Sequence, residues 1–260
     1  EHALEAVDQV LAIQPDALFV DNCFFRLEPC SGENLGVHEH RADYASYNAA
    51  YRALVEQIAR RAHDAGVAML CNSEVDPGLW PLMDGQMLEC MWYCPGWDAR
   101  EKGYTPMRYA ADLWSEAVER GATVQMLNYV GCDEPDRYVQ ALGFTYAWCR
   151  VHGLAWTDWY NFWRIDDDAT REAAHRIYAL DLGAPVGDCR RDGAVLWRRF
   201  ERGIVALNPL REQATCTIDG LSGDLYDVLS EETLSVGESP LRLSLDAQSG
   251  RVLTSAPLPE

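Results

Sequence analysis

An alternation constrains this chain more than any other feature. From residue 1 to about residue 183, short apolar runs take turns with longer stretches of helical periodicity, and the runs stop at polar residues. Leu4, Val7 and Leu11 recur at helical spacing over residues 1–13, Pro15 closes that helix, and Ala17 to Val20 reads as a strand. A polar loop over roughly residues 23–43 leads to a helix whose face is Tyr47, Tyr51, Leu54, Ile58 and Ala62; Gly66 ends it, and Val67–Cys71 is the next strand. Strands at Gln86–Met91, Thr123–Leu127 and Leu154–Thr157 then alternate with helices at 106–120, 134–150 and 170–182. Such spacing builds βαβ units around a parallel sheet, whose strands are apolar on both faces because helices cover them.

Past Gly183 the pattern changes. Short alternating stretches (Ala194–Trp197, Gly203–Leu207, Ala214–Ile218, Leu241–Leu245, Gly250–Leu253) are separated by Gly, Pro, Asp and Asn, which predicts a small antiparallel β domain. Two domains follow, 1–183 and 184–260. Eight of nine tryptophans lie in the first, which carries a net charge of -15 against -4 for the second. The acidic, aromatic-rich part is the expected working part.

With 260 residues, 48% hydrophobic and 24% charged, the chain can bury a large core, which excludes a disordered polymer. A net charge of -19 repels nucleic acid and anionic membranes, so neither is an expected partner. No apolar run reaches the roughly 20 residues of a membrane span. The first residues read as an amphipathic helix rather than a signal peptide, and localisation and oligomeric state stay open. Nine cysteines are too scattered for a disulfide scaffold, and neither Cys90 with Cys94 nor His38 with His40 has a zinc-site spacing. No metal and no cofactor are expected.

Polar residues gather where the expected strands end: Asp21-Asn22, Asn72-Ser73-Glu74, Glu89, Asn128-Tyr129 and Asp158. In an α/β barrel or an open parallel sheet, the C-terminal strand ends carry the site. Glu89 sits inside the run QMLECMW, where burial is expected to raise its pKa and keep it protonated as a general acid. Asp21, after ALFV, is the second carboxylate, and a pair flanking a glycosidic bond is what glycoside hydrolysis requires. Trp92, Trp156 and Trp159, with Tyr129, offer flat faces on which a sugar ring stacks, while Asn22, Glu74, Asn128 and Asp158 offer hydrogen bonds. Each has a structural alternative: Asp21 as a turn cap, Glu89 as a buried partner of an arginine, Glu74 and Asp158 as loop caps, the aromatics as core.

The segments ALFVDN, CNSEVD and LMDGQMLECMW together resemble the (β/α)8-barrel glycoside hydrolases of the clan that includes the endo-polygalactosaminidase-like families. The resemblance implies that the carboxylate pair lies on strands four and six, in V/L-D-N and D-G-x-x-x-E contexts, which map onto Asp21 and Glu89 with Asp84-Gly85 as the lead-in. The tail, VLWRRFERGIVALNPLREQATCTI and later LDAQSGRVL, is similar to the β-sandwich appended to many barrel glycosidases. It implies a TIM-type barrel represented here by strands four to eight, N-terminally truncated, followed by a non-catalytic sandwich and acting on an oligo- or polysaccharide. Two other classes remain open: a non-catalytic carbohydrate-binding protein on the same scaffold, and a metal-dependent hydrolase or lyase using Asp21, Glu89 and Asp158.

Overall fold

Helix α1 (His2–Leu11) turns Leu4, Val7 and Leu11 inward, and the chain then enters strand β1 (Ala17–Val20). In the computed structural model the described residues are 2–21, 44–72, 80–89, 93–94, 97–98, 119, 123–128, 135–158, 168–237 and 240–255. The expected loop at 23–43 and nearly all of the expected helix at 106–120 lie outside them.

Helix α2 (Tyr44–Asp64) ends as its sequence predicts. Gly66 takes a φ of +71°, a left-handed conformation that glycine adopts without a Cβ clash. There Val67 N donates to Ala62 O and Gly66 N to His63 O, a Schellman closure of the last turn. Strand β2 (Ala68–Asn72) follows, then a single 3-10 turn at Trp80–Leu82 and strand β3 (Gly85–Glu89). A short hairpin pairs β4 (Tyr93–Cys94) with β5 (Trp97–Asp98). Beyond it come β6 (Thr123–Asn128), helix α3 (Pro135–His152), β7 (Ala155–Asp158) and helix α4 (Asp168–Tyr178).

These strands form a five-stranded sheet in the order β1-β2-β3-β6-β7, with β1 parallel to β2 and β2 parallel to β3. By contacts the chain divides into two compact units, Glu1–Leu88 with Glu116–Gln125, and Glu89–Ser115 with Met126–Glu260. In the first unit Leu18, Met69 and Cys71 pack with Val55, Ile58, Ala59 and Ala62 of α2, so one face of β1 and β2 meets the helices. The opposite face carries Phe19, 48% exposed, and Leu70.

In the second unit an antiparallel six-stranded sheet has the order β13-β12-β15-β10-β9-β8, comprising β8 (Arg190–Asp192), β9 (Val195–Phe200), β10 (Gly203–Asn208), β12 (Gly223–Asp227), β13 (Thr233–Val236) and β15 (Ser249–Thr254). Strands β11 (Ala214–Ile218) and β14 (Leu241–Leu245) form a separate pair. Val195, Trp197, Ile204 and Ala206 from the larger sheet share one core with Cys216, Ile218, Leu243 and Leu245 from the smaller. Val205, Leu207 and Val252, of opposite parity, are also buried. Helix α3 packs on β15, β10 and β9, and it is buried nearly all round, from Tyr138 to Val151. A helix apolar on every side is one with covers on every side.

The asparagine, glycine and arginine of the tail segments have packing reasons. Asn208 is fully buried, donates to Glu212 O and Asp246 O, and accepts from Leu210 N, which locks the turn after β10. Gly250 lies against Gly143 of α3, where a Cβ would overlap the Gly143 carbonyl and meet Ala147 Cβ at 2.5 Å. Arg251 pairs with buried Asp227, whose Oδ1 also accepts from Leu229 N and Ser230 N.

Candidate functional site

Register builds the site from the sheet upward. Phe19 pairs with Leu70 and Leu70 with Gly85; one row on, Asn72 pairs with Met87, and Asp21 follows Val20 beside Asn72. Because parallel strands alternate their side chains with period two, Phe19, Asp21, Leu70, Asn72, Gly85 and Met87 share the face turned away from α2. Asp21 is exposed at the C-terminal end of β1. Asn72, 4% exposed at the end of β2, donates from Nδ2 to Asp21 Oδ1 at 2.8 Å. Glu89 closes β3 two residues beyond Met87, with the same parity, and its side chain lies outside the described part.

Asn72 is thus the residue that sequence reasoning passed over in favour of Glu74. The signal was available, since Asn72 is the polar residue that ends an otherwise apolar strand, and a buried amide there needs a partner.

Asn128 and Asp158 close β6 and β7 as backbone positions, with side chains outside the described part. Asn22, Glu74, Trp92, Tyr129 and Trp159 lie wholly outside it. Trp156 is placed in packing: its Nε1 donates to Thr145 Oγ1 at 3.1 Å, and its ring meets Tyr146 edge-on at 5.4 Å and Tyr178 at 5.0 Å. Burial pushes the neighbouring Tyr146 phenol up to about 12 against the opposing charge of Arg150, so it stays protonated.

The lead-in Asp84-Gly85 sits at the other end of β3 from Glu89, and its role is to join elements. Asp84 Oδ2 accepts from Met69 N at 2.8 Å and bonds His63 Nε2 at 2.8 Å. Partial burial pulls its carboxyl upward, but the Met69 N–H and the His63 side chain outweigh that and hold it below the usual value. A Cβ on Gly85 would lie 2.6 Å from Leu70 Cδ2 and 2.8 Å from Thr123 O. Only glycine fits there.

Among the described residues no group of three or more His, Cys, Asp or Glu could hold a metal ion, and no helix is long and apolar enough to cross a membrane. A cavity of about 370 Å³ opens in the second unit beside Gln140, Ser244 and Asp246. Its other charged side chains, Asp227, Glu232 and Arg251, are paired with one another.

No protein-family model matches the chain, and no curated protein matches it in sequence. Among solved structures it is similar to a GH27 β-L-arabinopyranosidase from Geobacillus stearothermophilus, with a TM-score of 0.52 at 11% identity over 80% of this chain and 54% of that one. It is also similar to α-galactosidase I from Mortierella vinacea, with a TM-score of 0.51 at 11% identity over 78% of this chain and 63% of that one. The chain therefore spans less than two thirds of the length of these neighbours. They are (β/α)8 glycoside hydrolases, and the likeness is one of fold: an α/β architecture of TIM type.

Proposed function

We propose that this chain is part of a glycoside hydrolase that cleaves O-glycosidic bonds in an oligo- or polysaccharide, within the clan of endo-polygalactosaminidase-like enzymes. What carries the proposal is the row at the strand ends, where Asp21 stands on the face opposite the helices with its carboxylate held by buried Asn72. Position at the C-terminal ends of parallel strands is where this fold class keeps its chemistry.

Glu89 is the proposed general acid and Asp21 the nucleophile or base. Glu89 gives its proton to the glycosidic oxygen as the bond to the anomeric carbon breaks, and the bonding pair leaves with that oxygen. Asp21 then either bonds the anomeric carbon, to be displaced by a water that Glu89 deprotonates, or itself deprotonates the attacking water. Asn22, Glu74, Asn128 and Asp158 are the proposed sugar hydrogen-bonding groups, with Trp92, Tyr129 and Trp159 as stacking faces. Trp156, engaged by Thr145, Tyr146 and Tyr178, is assigned to packing. This chemistry requires no cofactor.

Residues 1–183 are read as barrel strands four to eight, and 184–260 as an accessory β-sandwich. Half-exposed Phe19, on the face that a closed barrel turns inward, supports the first assignment. The test is a screen of the intact protein against aryl glycosides and polysaccharides, beside Glu89→Gln and Asp21→Asn. Hydrolysis that falls at least about 100-fold in each variant is expected. A wild-type rate in either removes that residue from the chemistry, and sugar binding with no hydrolysis in any form makes the scaffold a binding protein.

A further inference from the structure

Asn72 is chemically out of place as a mere strand residue. It is 4% exposed at the end of β2, and an amide buried to that degree costs free energy unless it is hydrogen-bonded. An apolar residue would close the strand more cheaply, as Val20 closes β1. The amide spends an N–H on Asp21 Oδ1, across the strand pair that already runs in register from Ala17↔Ala68 to Val20↔Cys71. The four register pairs secure these strands without it. What the bond adds is direction: a donor on the neighbouring strand holds Oδ1 and so restricts how the carboxylate can turn. We infer that Asn72 is the positioning residue of Asp21, holding the orientation in which that carboxylate acts on the anomeric carbon or its attacking water; this rests on the glycosidase reading above. A carboxylate so held is preorganised, and reorientation is removed from the barrier.

The effect belongs to the chemical step rather than to substrate binding. Hydrogen bonds to charged groups correspond to about 10- to 100-fold in rate when they are realised in the transition state. The test uses the intact protein and the aryl glycoside it turns over fastest, with Asn72→Leu, Asn72→Asp, Asp21→Asn and the double variant Asp21→Asn/Asn72→Leu. In both Asn72 variants kcat falls about 10- to 100-fold with KM changed less than about twofold. The double variant is no slower than Asp21→Asn alone, because the role assigned to Asn72 in the chemical step runs through Asp21. Asn72→Asp keeps the side-chain shape while replacing the donor by a second carboxylate facing Asp21, so the lost hydrogen bond and the like-charge repulsion act in the same direction and the variant stays informative even if Asn72→Leu melts early. A kcat within twofold of wild type in Asn72→Asp overturns the inference, as does an added loss in the double variant. A wild-type rate in Asp21→Asn overturns the glycosidase assignment of Asp21 and the inference with it, whereas a dead Asp21→Asn beside fully active Asn72 variants overturns the inference alone.

Discussion

A carboxylate on a strand takes its role from what donates to it, and two aspartates of one sheet show the contrast. Asp21 receives a side-chain amide at the C-terminal end, whereas Asp84 receives a backbone N–H and an imidazole at the opposite end. Asp84 thus ties β2, β3 and α2 together, and its ionisation is linked to folding. Its folded carboxyl lies below the usual value of 3.8, so folding favours the charged form. That stabilisation is complete at neutral pH, above the unfolded value, and is lost as pH falls through the folded value. Asp84→Asn is therefore expected to lower stability at pH 7 by up to about 1 kcal/mol, the side chain being half exposed, and to converge with wild type below pH 3.8. Thermal melts of both proteins across pH 2.5–7 check this; a gap that stays constant with pH would assign the effect to shape instead of charge. A second residue-scale expectation concerns Trp156, whose indole N–H has Thr145 Oγ1 as its acceptor. Trp156→Phe keeps most of the ring contact with Tyr146 and Tyr178 but loses the donor, and a stability loss of about 1 kcal/mol in denaturant titration is expected.

At the scale of elements, the approach of α3 to β15 is set by two glycines with unequal tolerance. A Cβ on Gly250 overlaps a backbone carbonyl and the Ala147 Cβ, neither of which can yield, so Gly250→Ala is expected to cost about 3 kcal/mol. On Gly143 the closest atom is the end of the Leu229 side chain at 2.5 Å, with Gly250 O at 3.1 Å. Leu229 can swing aside, and alanine is the better helix former by about 1 kcal/mol, so Gly143→Ala is expected to cost clearly less. Chemical denaturation of the two variants tests the order, and equal losses would mean that the helix shifts as a body. Elements of this kind were the legible ones. The strands at Ala17–Val20, Ala214–Ile218 and Leu241–Leu245 stand where their apolar patterns put them, and Gly66 ends α2. Three strands of the β part were invisible in sequence for a physical reason. β8 reads Arg-Arg-Asp, β12 begins Gly-Asp, and β13 is a four-residue edge, so each owes its pairing to the neighbouring strand rather than to its own hydrophobic alternation. At the strand ends, the position of Asp21 at the C-terminal end of β1 was legible because an acid after a four-residue apolar run is conspicuous. The contact between Asp21 and Asn72 was not legible, because it depends on cross-strand register, which no single strand encodes.

For the molecule as a whole, the question is whether the change of pattern at Gly183 marks a seam along which the chain can be cut. Helix α3 belongs by sequence to the βα part, yet it packs against β15, β10 and β9, and both Gly143 and Ala147 meet β15 directly. Asp181 and Arg202 form an ion pair across the same boundary, and Arg202 N donates to Leu182 O. Removing 184–260 strips one cover from a helix buried nearly all round. Each large apolar side chain left in water costs about 1.5–3 kcal/mol, and a few of them match the 5–15 kcal/mol that a whole domain has to spend. A chain ending at residue 183 is therefore expected to show no cooperative thermal transition and to bind a hydrophobic dye, while the full 260 residues melt cooperatively. Far-UV and near-UV circular dichroism of the two proteins decide the matter. If the shortened chain keeps its near-UV signal and a sharp melt, the β part is an independent appendage and the burial of α3 is convenience; if the signal vanishes, the sheet of the β part is a structural wall of the unit that carries β7 and α4.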